Sequence, residues 1–243
     1  MVGVILAGGD GVRLRESSGK DCCKSLEKVA GVSLIEYALK NLVVLGIEKA
    51  VIVVGKQGEL IKKALGLCYE GVALTYVNQA EQKGLINAFV QALKETEGRK
   101  VVLQLADEIF AGFRADEVQK QIADKNNRSF YCGITREKDP DKIRANYSVE
   151  LDGAEVIKCV EKPVEIINDI KGTGFCVFSA EAVRILEDIY DKKNNSPKDL
   201  CDFMNLLTAN DKKGDAFCVA EKEFNINTLS DLEEAERFCR GDA

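Results

Sequence analysis

The chain has 243 residues, enough to bury a substantial core as one domain, and its apolar, charged and glycine contents are those of an ordinary soluble protein. A formal net charge of −6 with dispersed Lys and Arg forms no basic stripe, which argues against long nucleic acid or an anionic membrane surface as a partner. Nine cysteines without the paired spacings of a zinc site, no histidine, no apolar run of membrane-spanning length and no leader-like start point to a reduced, cytoplasmic chain.

The apolar run at residues 2–6 predicts a strand, and it leads into LAGGDGVRL from Leu6 to Leu14. Two glycines directly after a strand let the backbone turn sharply and leave amide hydrogens free to face an anion. Arg13 then supplies a planar fork of donors and Lys24 a mobile point charge, so the segment reads as a phosphate cradle. Ser33 with Glu36 predicts the capping box of a helix whose apolar stripe is Leu34, Ala38, Leu42 and Leu45, closed by Gly46. A strand at 49–54, a helix at about 59–65, a strand at 72–77, a helix at 85–93 and a strand at 101–105 follow. Such alternation implies an α/β, Rossmann-like fold with a mixed, mostly parallel sheet sandwiched by helices and ligands beyond the carboxyl ends of the strands. The glycine turn and Asp107 both fall at such ends.

The second half changes character. Residues 130–135, 147–151, 156–160 and 173–178 read as short strands, with Asp152-Gly153 as a hairpin turn, which predicts antiparallel additions to the sheet. Ser179 is expected to start a helix, Ser196-Pro197 another, and Ser230 with Glu233 to box the last. The expectation is a single domain over 1–243, with a nucleotide half at about 1–135 plus the final helix and an acceptor half at about 136–215.

Four further segments sharpen the phosphate reading. NQAEQKGLINAF sets Gln79 five residues before Gly84, LQLADEIF carries Asp107, Glu161-Lys162-Pro163 follows a strand, and FNINT brings Asn225 and Asn227 before the final helix. In this order the set resembles the sugar-1-phosphate nucleotidyltransferases, the thymidylyl- and uridylyltransferases that make nucleotide sugars from an NTP and a sugar phosphate. The resemblance runs from Gly3 to about Glu236 and implies their GT-A-like fold. It implies that Leu6, Ala7, Gly8 and Gly9, with Gly11 in the same turn, hold the nucleotide, and that Arg13 and Lys24 grip its phosphates. By the same resemblance Gln79 and Gly84 read the edge of uracil or thymine, and Asp107 binds Mg²⁺ with Asn225, or alternatively Asn227, as second ligand. Glu161 and Lys162 would face the sugar and its phosphate, with Gly174 near the acceptor. Arg13, Lys24, Asp107 and Lys162 form the implied catalytic set.

Elementary chemistry agrees with that assignment. Mg²⁺ takes hard oxygens and keeps several waters, so one carboxylate, one amide oxygen and phosphate oxygens suffice. Displacement at an α-phosphorus needs alignment and charge neutralisation more than covalent help. A phosphate monoester has a second pKa of about 6, so the attacking oxygen is already ionised at neutral pH and no histidine is required as base.

The pattern also departs from many relatives. Cys23 stands where they place a proline, and Asn146-Tyr147-Ser148 stands where they carry a glycine, so the Tyr147 ring is expected beside the acceptor in space a hexose would need. Tyr147 therefore motivates an alternative: a nucleotidyltransferase, with CTP among its candidate donors, acting on a non-sugar phosphate or phosphonate. A non-catalytic regulator binding a nucleotide sugar would not need Arg13, Lys24, Asp107 and Lys162 together, and a glycosyltransferase would want a DxD pair where Asp107 is followed by Glu108-Ile109. Relatives often form symmetric oligomers, and no apolar stripe here marks such an interface.

Overall fold

The computed structural model describes residues 1–19, 22–123, 128–190 and 196–241. The first apolar run becomes β1 (Val2–Ala7), buried along its whole length as a strand between two parallel neighbours must be. The glycine turn enters a short helix, α1 (Val12–Ser18), and a minor hairpin of β2 (Lys28–Val29) and β3 (Val32–Ser33) follows. Next comes α2 (Leu34–Val44), with Ser33 and Glu36 forming the expected box. The chain continues through β4 (Lys49–Val54), α3 (Gly58–Leu65), β5 (Cys68–Tyr69), β6 (Val72–Asn78), α4 (Leu85–Thr96) and β7 (Val101–Leu105). β1 lies between β4 and β7 and is parallel to both, and β6 extends the parallel set beyond β4. Their carboxyl ends therefore share one edge, and the glycine turn, Gln79 and Asp107 all leave the sheet there.

A turn at Asp107 leads into β8 (Glu108–Ala111), α5 (Ala115–Ala123), β9 (Phe130–Arg136) and α6 (Pro140–Arg144). The hairpin of β10 (Tyr147–Asp152) and β11 (Glu155–Glu161) turns at Gly153-Ala154, one residue later than the expected Asp152-Gly153: Asp152 stays in the strand opposite Glu155, and Gly153 takes φ 60°. Then come β12 (Ile170–Phe178), α7 (Ala180–Ile189), α8 (Leu200–Ala209), β13 (Gly214–Cys218), β14 (Lys222–Asn225) and α9 (Leu229–Arg240). The main sheet has the order β10-β11-β13-β9-β12-β7-β1-β4-β6-β5. β12 joins the two parts of the sheet by pairing antiparallel with β7; parallel pairing is concentrated among β7, β1, β4 and β6, and β13 on β9 is the parallel pair on the other side of β12. β8 and β14 form a separate antiparallel ribbon that sequence reading did not anticipate.

Alternate residues of β1 serve the two faces of the sheet. Val2, Val4 and Leu6 join Phe89, Phe178 and Phe203 under α4, α7 and α8, while Ile5 and Ala7 join Ile35, Leu39 and Leu42 of α2 on the other side. Two expected helix starts move. The segment at Ser196-Pro197 stays outside the helix, which begins at Leu200 with Asp199 accepting the Asp202 N–H at 2.8 Å. The last helix is boxed by Thr228 and Asp231, not by Ser230 and Glu233. Among the described residues no helix is long and apolar enough to cross a membrane.

Candidate active site

The glycine turn is shaped by what crowds it. A Cβ on Gly8 would stand 2.7 Å from Gln79 Oε1, and one on Gly55, at the end of β4, would stand 2.5 Å from the Gly8 carbonyl oxygen. Gly11 caps α1 at φ 61°, where a side chain would also meet Lys24 Cβ at 2.9 Å. That close approach lets Lys24 lie across the start of α1 and reach inward. Its ammonium donates to Asp107 Oδ2 at 2.6 Å and to Asn227 Oδ1 at 3.1 Å, and Arg13 Nη2 donates to the same Asn227 oxygen at 2.8 Å. Four distant stretches of chain thus meet at one point.

The ribbon explains how the last of them arrives. Asn225 pairs with Glu108, and the Ile226 N–H donates to the Asp107 carbonyl at 2.9 Å, which fixes both asparagines beside the β7 turn. Asn225 turns its amide nitrogen to Asn146 Oδ1 at 2.9 Å and receives the Asn227 amide on its oxygen at 2.7 Å. Of the two asparagines, Asn227 is the one whose oxygen shares a cation with Asp107.

Beside this point a cleft of about 380 Å³ is lined by Leu6, Gly8, Gly9, Gln79, Gly84 and Asp107. Gln79 is buried, and its amide nitrogen donates to Asn87 Oδ1 at 2.9 Å and the Gly84 carbonyl at 3.3 Å. Asn87 in turn donates to the Tyr190 hydroxyl at 2.7 Å, so the amide of Gln79 is held in one orientation. Gly84 caps α4 at φ 98°, a conformation open to glycine. Sequence reasoning missed Asn87 and Gln82, whose amide nitrogen donates to the Gly8 carbonyl at 2.7 Å. A buried Asn on the apolar face of α4 was the available signal.

The acceptor-side residues are placed less uniformly. Glu161 ends β11, and burial with Asp199 nearby pushes its carboxyl above the usual range. Lys162 is exposed at φ 45°, not extended as its place before Pro163 predicts, and its N–H donates to the Asn146 carbonyl at 2.7 Å. A left-handed residue before proline costs on the order of 1–3 kcal/mol, which that hydrogen bond helps to offset. Tyr147 is not brought to the cleft. It is 6% exposed in the core cluster, packed on Gly172, with its hydroxyl donating to the Thr173 carbonyl at 2.7 Å. The ring that motivated a non-sugar acceptor therefore fills the core.

Gly174 lies against Leu105 of the cleft wall, and its N–H is shared by both carboxylate oxygens of Glu108 at 2.9 and 2.8 Å. Burial, with Glu223 and Asp107 nearby, pushes the Glu108 carboxyl well above its ordinary value, against the opposing pull of the Gly174 N–H and Lys171. Lys171 is buried too and pairs with Glu223. This buried charge cluster escaped sequence reading. A Gly174→Ala side chain would stand 2.6 Å from Leu105 Cδ1 and 2.9 Å from Glu108 Oε2. Overpacking of about 1–3 kcal/mol is expected, a fall in melting temperature of roughly 2–12 °C that differential scanning calorimetry would read.

Residues 2–240 match the family of nucleotidyl transferases. The chain is 30% identical over 238 residues to the UTP–glucose-1-phosphate uridylyltransferase AglF of Haloferax volcanii, covering 98% of this chain and 96% of that one. It is 29% identical over 192 residues to the glucose-1-phosphate thymidylyltransferase of Neisseria gonorrhoeae, covering 78% of this chain and 65% of that protein. A crystal structure from Bacillus anthracis, described as a candidate glucose-1-phosphate thymidylyltransferase in complex with sucrose, superposes with a TM-score of 0.86 at 21% identity, covering 99% and 96% of the two chains. With the glycine turn, Lys24, Asp107 and the FNINT asparagines meeting at one edge of the sheet, the chain belongs to the nucleotidyl transferase family, the sugar-1-phosphate nucleotidyltransferases that the order of its motifs resembles.

Proposed function

We propose that this nucleotidyltransferase condenses UTP or dTTP with a sugar 1-phosphate to give a nucleoside-diphosphate sugar and pyrophosphate. The observation that carries the reading is the meeting of Arg13, Lys24, Asp107 and Asn227 beside a cleft that Gln79 closes. A base in that cleft lies over the Leu6 and Gly84 walls against the fixed amide of Gln79, whose oxygen faces Gly8. The phosphates then reach the glycine turn, Arg13 and Lys24. An oxygen of the sugar phosphate forms a bond to the α-phosphorus as the bridge to the β-phosphate breaks, and the pyrophosphate leaves with both electrons of that bridge. Arg13 and Lys24 neutralise charge on it, while the exposed Lys162 is the cation we assign to the incoming phosphate.

The donor set suits Mg²⁺. Among the described residues no three of His, Cys, Asp and Glu cluster as a protein-only cage, but Asp107 and Asn227 offer hard oxygens already spaced around one cation. Bound there with phosphate oxygens, the ion would draw negative charge from the reacting phosphates. The nine free thiols fit a reducing compartment, and we place the protein in the cytoplasm.

Assaying pyrophosphate release with each of four NTPs and Mg²⁺ against a panel of hexose 1-phosphates and phosphocholine tests the reading. Turnover is expected with UTP or dTTP and at least one hexose 1-phosphate. No product with any hexose 1-phosphate overturns it, and a CTP-dependent product from phosphocholine would replace it.

A further inference from the structure

Gln79 is 7% exposed and lines the cleft together with Gly8, Gly84 and Ala88. A glutamine side chain carries two N–H donors and one acceptor oxygen. Here both hydrogens are spent: Nε2 donates to the Gly84 carbonyl at 3.3 Å and to Asn87 Oδ1 at 2.9 Å. A backbone carbonyl can only accept, so Gly84 fixes which end of the amide turns inward. The oxygen is left against Gly8, where a Cβ on that glycine would stand 2.7 Å from Oε1.

Asn87 gives that arrangement its grip. It lies on α4, 9% exposed, one residue before Ala88 of the cleft wall, and its own amide nitrogen donates at 2.7 Å to the hydroxyl of Tyr190, which closes α7. Turning Gln79 over would put its oxygen against the Gly84 carbonyl and would require Asn87 and the Tyr190 hydroxyl to reverse with it. Uracil and thymine carry an N–H at ring position 3, whereas cytosine carries a lone pair there. We propose that Asn87 is a positioning residue for base choice: by taking the second hydrogen of the Gln79 amide it keeps Oε1 as the acceptor facing the base, which suits uracil or thymine and opposes cytosine. This role rests on the base lying in the cleft, as proposed above, and names what selects it.

Binding of UTP and of CTP by calorimetry, together with kcat/KM for each on the best sugar 1-phosphate, tests the role. The wild-type protein is expected to favour UTP by about tenfold or more, because cytosine meets the Gln79 oxygen with a lone pair. Asn87→Ala and Asn87→Leu both delete the amide, the first with the best helix former and the second without admitting water. In whichever of them folds, the preference for UTP should fall by about two- to tenfold, since the Gln79 amide becomes free to turn its nitrogen toward cytosine. Asn87→Asp sets a carboxylate at the same point, which accepts the Gln79 N–H and the Tyr190 O–H together, and the preference should stay at the wild-type level or above it. A merely structural role would weaken both nucleotides alike. A wild-type protein that binds CTP as well as UTP, an unchanged ratio in the deletion variants, or lost preference in Asn87→Asp overturns the role. Failure of every sugar 1-phosphate as acceptor, with the binding ratios as expected, defeats the proposed function and leaves this role standing.

Discussion

Asp107→Ala is expected to lower Mg²⁺-dependent pyrophosphate release by about 10²–10³-fold or more while the protein stays folded. The carboxylate sits on the turn after β7, 29% exposed, and its described side-chain partner is the Lys24 ammonium. A part-exposed pair of this kind contributes about 0–1 kcal/mol to stability, so the melting temperature should move by no more than roughly 4 °C. Asp107 also competes with nucleotide for Lys24 when no metal is present. Removing it should leave metal-free NTP binding at least as tight by calorimetry, while the gain on adding Mg²⁺ disappears. Turnover close to wild type would refute the metal role; lost turnover with a collapsed melting curve would make Asp107 a structural residue instead.

Lys171→Met should have the largest effect on stability, about 3–5 kcal/mol, or a fall of roughly 6–20 °C in melting temperature. Lys171 is the cation paired with the buried Glu223 carboxylate and lies 3.9 Å from Glu137, and it also lowers the Glu108 carboxyl. Burial raises both Glu223 and Glu108, and Lys171 opposes the rise at each. Without it both rise further. An acid whose folded pKa lies above its unfolded value, about 4.3 for Glu, binds more protons folded than unfolded in the interval between them. Stability is then greatest below that unfolded value and declines as pH rises toward the folded one. The variant's deficit should accordingly be smaller at pH 4.5 than at pH 7.5 in urea titrations, and a deficit independent of pH would mean that lost packing, not stranded charge, is its cause.

What the sequence made legible was local. The Ser33/Glu36 box, the glycine turn and the hairpin at Gly153 each carry their signal within a few residues, and the structure reproduces them, the hairpin with its turn one residue later than expected. The misses share the opposite property. Thr228-x-x-Asp231 and Ser230-x-x-Glu233 are overlapping boxes of the same pattern, and the Leu229 N–H bound by Ser17 Oγ at 2.9 Å belongs to the first register. Tyr147 and Ser148 differ by one step along β10, and pairing decides the face: Ser148 stands opposite Lys171, which leaves the tyrosine ring to the core. Lys162 follows its hydrogen bond to Asn146 rather than the preference of a residue before proline. Lys171 and Glu223, 52 positions apart, read in the sequence as two ordinary surface charges.

The ribbon of β8 on β14 sets a condition on when this enzyme becomes competent. It unites residues 108–111 with residues 222–225, and closing so long a loop is entropically unfavourable until the intervening strands have docked. A growing polypeptide that has already finished its parallel layer still has Asp107 without its asparagines. On the proposed reading, a chain that has not yet paired this ribbon is therefore expected to hold an incomplete centre and to consume no nucleotide.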